Sequence, residues 1–238
     1  MNQGYDRNSP FETSTLERVV AQAPAEVRLN FIRKTYVLFM AGIFASIVGA
    51  WLCLNVEPVW SVVASVYRVP LLLVALIFGG AMLAQAVSRV EGVNYVALFG
   101  FTTFLGMMIA PALASYQLSQ PGIVGQAAFL TIVVFGSLTA YAFITKTDFS
   151  FLGGMLFVGL IALIIGGLAN MLWFKSSGAS YWMAWVTLFL FSGFVLYDTS
   201  QIIHRYDEKG YCSAALALFL DFFNMFMAIL RILSGNRN

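Results

Sequence analysis

Seven apolar runs, each about as long as a bilayer's hydrocarbon core is thick, leave this chain little choice of fold. They fall at 35–55, 70–89, 93–116, 124–145, 150–174, 181–203 and 212–233. A single segment surrounded by lipid can satisfy its own backbone only as a helix. The expected architecture is therefore an all-α integral membrane protein, a bundle of seven transmembrane helices. Composition agrees: 10% of the residues are charged, against roughly 25% in a soluble domain. The connections are short, so consecutive spans run antiparallel. Residues 1–34 read as a polar cytoplasmic tail and 35–238 as one membrane domain. The tail has no apolar core followed by a small-residue cleavage site, so the first span is expected to direct its own insertion.

Lys and Arg set the orientation. The tail and alternate connections hold Arg7, Arg18, Arg28, Arg33, Lys34, Arg89, Lys146, Arg205 and Lys209, whereas the opposite side holds Arg68, Lys175, Arg231 and Arg237. That excess predicts a cytoplasmic N-terminus in a multi-pass protein of the cell membrane, with the lipid bilayer as its constant partner. The net charge of +2 argues against nucleic acid. Cys53 and Cys212 are expected near opposite membrane faces, roughly 30 Å apart, too far for a disulfide. Gly42, Ser46 and Ala50, at intervals of four, predict a close approach by a neighbouring helix.

Two acids interrupt this pattern: Asp198 in the sixth span and Asp221 in the seventh. A carboxylate at the centre of a spanning helix costs on the order of 2.5–3.5 kcal/mol on insertion scales, which makes each a functional-site candidate. They lie almost symmetrically about the HRYDEKGYC turn, so antiparallel helices bring them to similar depth. If they meet, both cannot easily ionise; they would titrate as a coupled pair near neutrality. Once deprotonated, they would offer oxygen ligands to a hard cation such as calcium in transit. The competing reading has each acid merely hydrogen-bonded within the bundle or snorkelling to the cytoplasmic interface.

Polar neighbours support the functional reading. Asn224 sits one helical turn beyond Asp221, and Thr199 and Gln201 follow Asp198. Arg89, at the end of the second span, is a candidate counter-charge, with an ordinary positive-inside anchor as its alternative. His204 reads as an interfacial loop residue rather than a metal ligand, having no second histidine or suitable cysteine near it. Neither HExxH, GxSxG, a phosphate loop nor CxxC is present, and the chain is not expected to be an enzyme or to hold a cofactor. The surroundings of the acids also differ from those of presenilin-type aspartyl proteases, whose glycine motif is absent.

The run FITKTDFSFLGGMLFVGLIALIIGGLAN (143–170), with LYDTSQIIHR (196–205) and ALALFLDFFNMFMAILRIL (215–233), resembles the Bax inhibitor-1/YccA family of multi-pass membrane proteins. TDFSFLGGML is especially similar to its bacterial branch. The resemblance implies a seven-helix bundle with the last helix central, in a bacterial inner membrane. It implies a pH-sensitive calcium leak in members that carry two aspartates, which match Asp198 and Asp221. A family arginine aligns with Arg89. The bacterial branch also implies a second role, regulation of a membrane-anchored AAA protease, for which the polar tail would be the handle.

Overall fold

The computed structural model describes residues 23–207 and 209–235. Within them the chain forms α1 (Ala25–Asn55), α2 (Glu57–Tyr67), α3 (Pro70–Val87), α4 (Asn94–Ser119), α5 (Ile123–Thr145), α6 (Gly153–Ala169), α7 (Ser177–His204) and α8 (Tyr211–Gly235). A 3-10 turn, Ser150–Leu152, leads into α6, and a π-turn, Asn170–Phe174, extends it. Seven of these segments are long and apolar enough to cross a membrane. The protein is an all-α, seven-span membrane protein.

The remaining helix, α2, lies outside the seven-run reading. Its 11 residues rise only about 16 Å, too little to span. Pro58 in its first turn suits a helix start. Val63 is its buried residue and packs in a cluster with Cys53 of α1 and Met108 of α4. The Tyr67 hydroxyl donates to the Met108 carbonyl.

Helix α1 begins at Ala25, ten residues before the first apolar run. Packing rather than hydropathy accounts for the extension. Phe31 is buried and its ring contacts Tyr206 at 6.1 Å. The Lys34 ammonium lies 3.4 Å from the centroid of the Tyr211 ring and 5.9 Å from that of Tyr95, a cation–π arrangement joining α1, α4 and α8. The expected tail boundary at 34–35 thus falls within a helix, and tail residues 1–22 lie outside the described ones.

The closest helix crossing joins α1 and α4. A Cβ at Gly49 would sit 2.1 Å from the Thr103 carbonyl oxygen, and one at Gly106 would sit 1.9 Å from that of Ser46. Backbone therefore lies on backbone at both positions. Gly42 and Ser46 face α4, as the small-residue spacing predicts, but Gly49, outside that spacing, makes a second tight contact, and Ala50 packs beside Cys53.

Helix α8 packs against α1, α4, α5 and α7 and has the largest buried share of any span. It is the central helix. Helices α3 and α6 are peripheral and bury the least. The face where α3, α5 and α7 end and α4 and α8 begin carries Arg89, Asp148, Arg205 and Lys209.

Candidate functional site: a carboxyl pair beneath an open vestibule

Helix rotation settles what spacing left open. Asp198 of α7 and Asp221 of α8 point at one another, their carboxyls within hydrogen-bonding reach. Asp221 is 3% exposed, and its buried Oδ2 has no hydrogen-bond partner among the described residues. Asp198 is half-buried, because it lines an open cavity of about 230 Å³. That vestibule also exposes Arg89, Gln201, Arg205, Tyr206 and Asp207. One acid of the pair thus faces a polar chamber, and the other is sealed behind it.

Hydroxyls converge beside the pair. Tyr36 of α1 meets Thr139 of α5 and Thr199 of α7, within electrostatic reach of Asp198. All three hydroxyl oxygens are buried and none has a hydrogen-bond partner of good geometry. Buried polar atoms are nearly always paired in folded proteins, so this concentration of unmet groups sets the site apart. On the vestibule side, Gln85 donates to the Ser213 hydroxyl at 2.8 Å, and Ser213 also hydrogen-bonds Tyr206. Burial pushes the Tyr206 phenol far above its ordinary pKa, with the Asp198 charge adding to the shift. Tyr206 therefore remains protonated at any physiological pH.

One turn further from the vestibule, the bundle becomes aromatic. Phe39 of α1 stacks on Phe135 of α5 at 5.2 Å, and both meet Phe222 of α8 edge-on at 5.8 and 5.5 Å. Phe39 is three residues beyond Tyr36, Phe135 four before Thr139, and Phe222 one beyond Asp221. The three rings follow directly behind the polar cluster.

The other residues singled out in the sequence divide clearly. Thr199 and Gln201 join the site. Arg89 stands at the vestibule mouth and pairs with Asp207 at 3.7 Å, so its ion-pair partner is the turn acid rather than the acid pair. The Asn224 amide donates back to the Leu220 carbonyl at 2.8 Å. His204 is held at the end of α7, with its Nδ1 3.0 Å from the Ser200 carbonyl oxygen. Cys53 and Cys212 are both free and fully buried.

The TDFSF segment serves the site from outside. Arg205 donates to Asp148 Oδ2 at 3.1 Å and to the Ser150 hydroxyl at 2.8 Å. The Phe149 amide donates to Ser200 Oγ at 3.0 Å, docking the loop on the end of α7. Hydrogen bonds from Ser150, with Arg205 alongside, hold the Asp148 carboxyl down at about 2.

Fold and site together define a class: a seven-helix membrane protein with two facing acids inside the bundle, one of them open to a polar vestibule. The chain belongs to the Bax inhibitor-1 family. The family model described as "Inhibitor of apoptosis-promoting Bax1" matches residues 28–238. An uncharacterized protein of Campylobacter jejuni is 37% identical over 98% of this chain and 96% of its own length. Bax inhibitor 1 of Schizosaccharomyces pombe is 34% identical over 92% of this chain and 81% of its own. The Escherichia coli protein named modulator of FtsH protease YccA is 34% identical over 58% of this chain and 63% of its own.

Proposed function

We propose that this protein is a pH-sensitive cation leak, with calcium the leading candidate, and that Asp198 and Asp221 set its response to protons. The observation that carries the reading is a carboxyl facing a carboxyl at the foot of an open vestibule. A hydrogen bond between two carboxyls needs a proton on one of them. Losing it leaves two like charges side by side in a poorly solvated bundle, a state relieved by separation or by a cation. Calcium takes 6–8 oxygen ligands. The pair, the Thr199, Tyr36 and Thr139 hydroxyls and water would supply part of that shell. Among the described residues no group of three or more His, Cys, Asp or Glu converges, which suits an ion in passage better than a resident metal.

The Phe39–Phe135–Phe222 cluster supports a closed route in this conformation, since packed rings exclude water. Arg89 acts in this reading as the counter-charge at the mouth, held by Asp207 until Asp198 ionises. No chemical transformation is involved. The Lys/Arg distribution favours a cytoplasmic N-terminus and a vestibule open to the cytoplasm, and a bacterial inner membrane is the proposed location.

A second reading has its own support. The relative named for modulating FtsH protease suggests that this chain regulates a membrane-anchored AAA protease. Purified protein in dye-loaded liposomes, assayed for calcium entry from about pH 5 to 8, separates the two. A leak predicts flux well above that of empty liposomes, with a pH midpoint. Flux equal to that of empty liposomes throughout removes the leak reading. Altered turnover of protease substrates on deletion would then leave the regulator.

A further inference from the structure

A second cavity lies on the face opposite the vestibule, where the turn after α6 meets the start of α7 and the end of α8. It encloses about 720 Å³, within the range of small-molecule sites. Lys175 lines it from the turn and Arg231 from α8. Among the described residues neither cation takes part in an ion pair. Among the described residues no carboxylate lines the cavity. Glu57, at the start of α2, lines a separate pocket with Trp60.

The neutral groups have the same polarity. Ser176 Oγ accepts from the Ala179 amide at 3.2 Å, and Ser180 Oγ accepts from the Asn170 amide at 2.8 Å. Both residues line the cavity, and each hydroxyl has an accepting lone pair engaged inside the protein, leaving an O–H to donate. Asn170 also bonds the Ser176 carbonyl and amide, at 3.2 and 3.1 Å, which fixes the turn. The positive end of α7 adds to the field but is not needed for the case. Two cations and outward-donating hydroxyls suit a multivalent acceptor, and guanidinium–phosphate pairs are among the strongest hydrogen-bonded pairs.

Position narrows the ligand further. Trp173, Phe174 and Trp182, each at least 70% exposed, are close in sequence to the lining residues Met171, Lys175, Tyr181 and Met183, at the helix ends. Such aromatics mark the headgroup level of a bilayer. Met171 and Met183 provide an apolar wall, suited to the glycerol and upper acyl part of a lipid. We propose that this cavity binds a phosphate oxyanion between Lys175 and Arg231, presented by the headgroup of an anionic phospholipid. The site is independent of the acid pair and of the leak.

The test uses the full chain purified in an uncharged maltoside detergent, followed by intrinsic tryptophan fluorescence and thermal unfolding. Three probes are titrated: dioctanoyl phosphatidylglycerol, dioctanoylglycerol and inorganic phosphate. Saturable binding of the phosphatidylglycerol is expected, with no response to the diacylglycerol. Lys175→Gln with Arg231→Gln is expected to weaken binding at least tenfold, whereas Arg68→Gln, on the same side but outside the cavity, leaves it unchanged. The charge-conserving pair Lys175→Arg with Arg231→Lys retains binding and controls for folding. Phosphate acting as strongly as the lipid supports the oxyanion site and assigns it a soluble source. Equal responses to both lipids, or an unchanged affinity in the double glutamine variant, overturn the proposal.

Discussion

Arg89 at the end of α3 and Asp207 in the α7–α8 turn face one another at 3.7 Å across the mouth of the vestibule. Arg89 is 64% exposed, and surface pairs of this kind contribute about 0–1 kcal/mol. Their importance therefore lies in position, since both line the chamber that ends on Asp198. Arg89→Ala and Asp207→Asn should each change unfolding free energy by less than about 1 kcal/mol. Their effects on flux should oppose each other. Losing the guanidinium removes a charge that favours the carboxylate, moving the pH midpoint up. Losing the Asp207 carboxylate releases that guanidinium toward Asp198 and moves it down. Midpoints that fail to move apart would exclude Arg89 as the counter-charge.

Asp198 and Asp221 should behave as one unit. Each replaced singly by Asn keeps shape and hydrogen bonding but removes a titrating group. Each single change is expected to alter the pH dependence of calcium flux, and the double change to add less than the sum. The measurement is a four-member liposome series with folding verified. Additive effects in well-folded proteins would sink the shared-proton mechanism even if calcium passes.

The Asp148–Arg205 contact should be indifferent to physiological pH. The Asp148 carboxyl is held at about 2, below the ordinary value near 3.9. Its contribution is thus fully present above the ordinary value and lost as pH falls through the lowered one. Exchange of the Phe149 amide, corrected for intrinsic rate, should stay constant from about pH 5 to 8. Arg205→Ala should accelerate it. Deprotection on moving from pH 8 to 5 in the unaltered chain would contradict the assignment.

The α1–α4 crossing should tolerate no added carbon. Gly49→Ala and Gly106→Ala drive a methyl into a carbonyl of the opposing backbone, and overpacking of this kind costs roughly 1–3 kcal/mol or more. Gly100→Ala, on the same helix with nothing within 4 Å, is the control and should unfold like the parent. Thermal unfolding in detergent reads the difference.

Phe135→Ala should raise flux at every pH while leaving its midpoint in place, because it opens the aromatic layer without touching a titrating group. Phe135→Leu, a smaller loss of volume, should fall between. Unchanged basal flux in a folded Phe135→Ala protein would place the barrier elsewhere.

Much of this was legible in the chain itself. Hydropathy length located seven spans because lipid demands it, and the expense of intramembrane charge singled out Asp198 and Asp221. The rest depended on rotation and packing. Tyr36 and Thr139 carry no local signal that would set them beside Asp198; only the docking of α1 and α5 on α7 does so. Arg89 was visible as a candidate, but its partner Asp207 follows from a turn conformation. Asn224 lies on the expected helix yet satisfies its own backbone. Helix α2 escaped a length criterion, and the start of α1 escaped a hydropathy one.

The two free thiols turn the chain into its own indicator of sidedness. Cys53 lies near one end of α1 and Cys212 at the opposite-facing start of α8, and each is 0% exposed. An impermeant maleimide should label neither while the bundle holds this conformation. A rearrangement that loosens one end alone should expose one sulfur alone. Labelling rates compared across the pH range of the flux assay would then report which face parts first, with no residue altered.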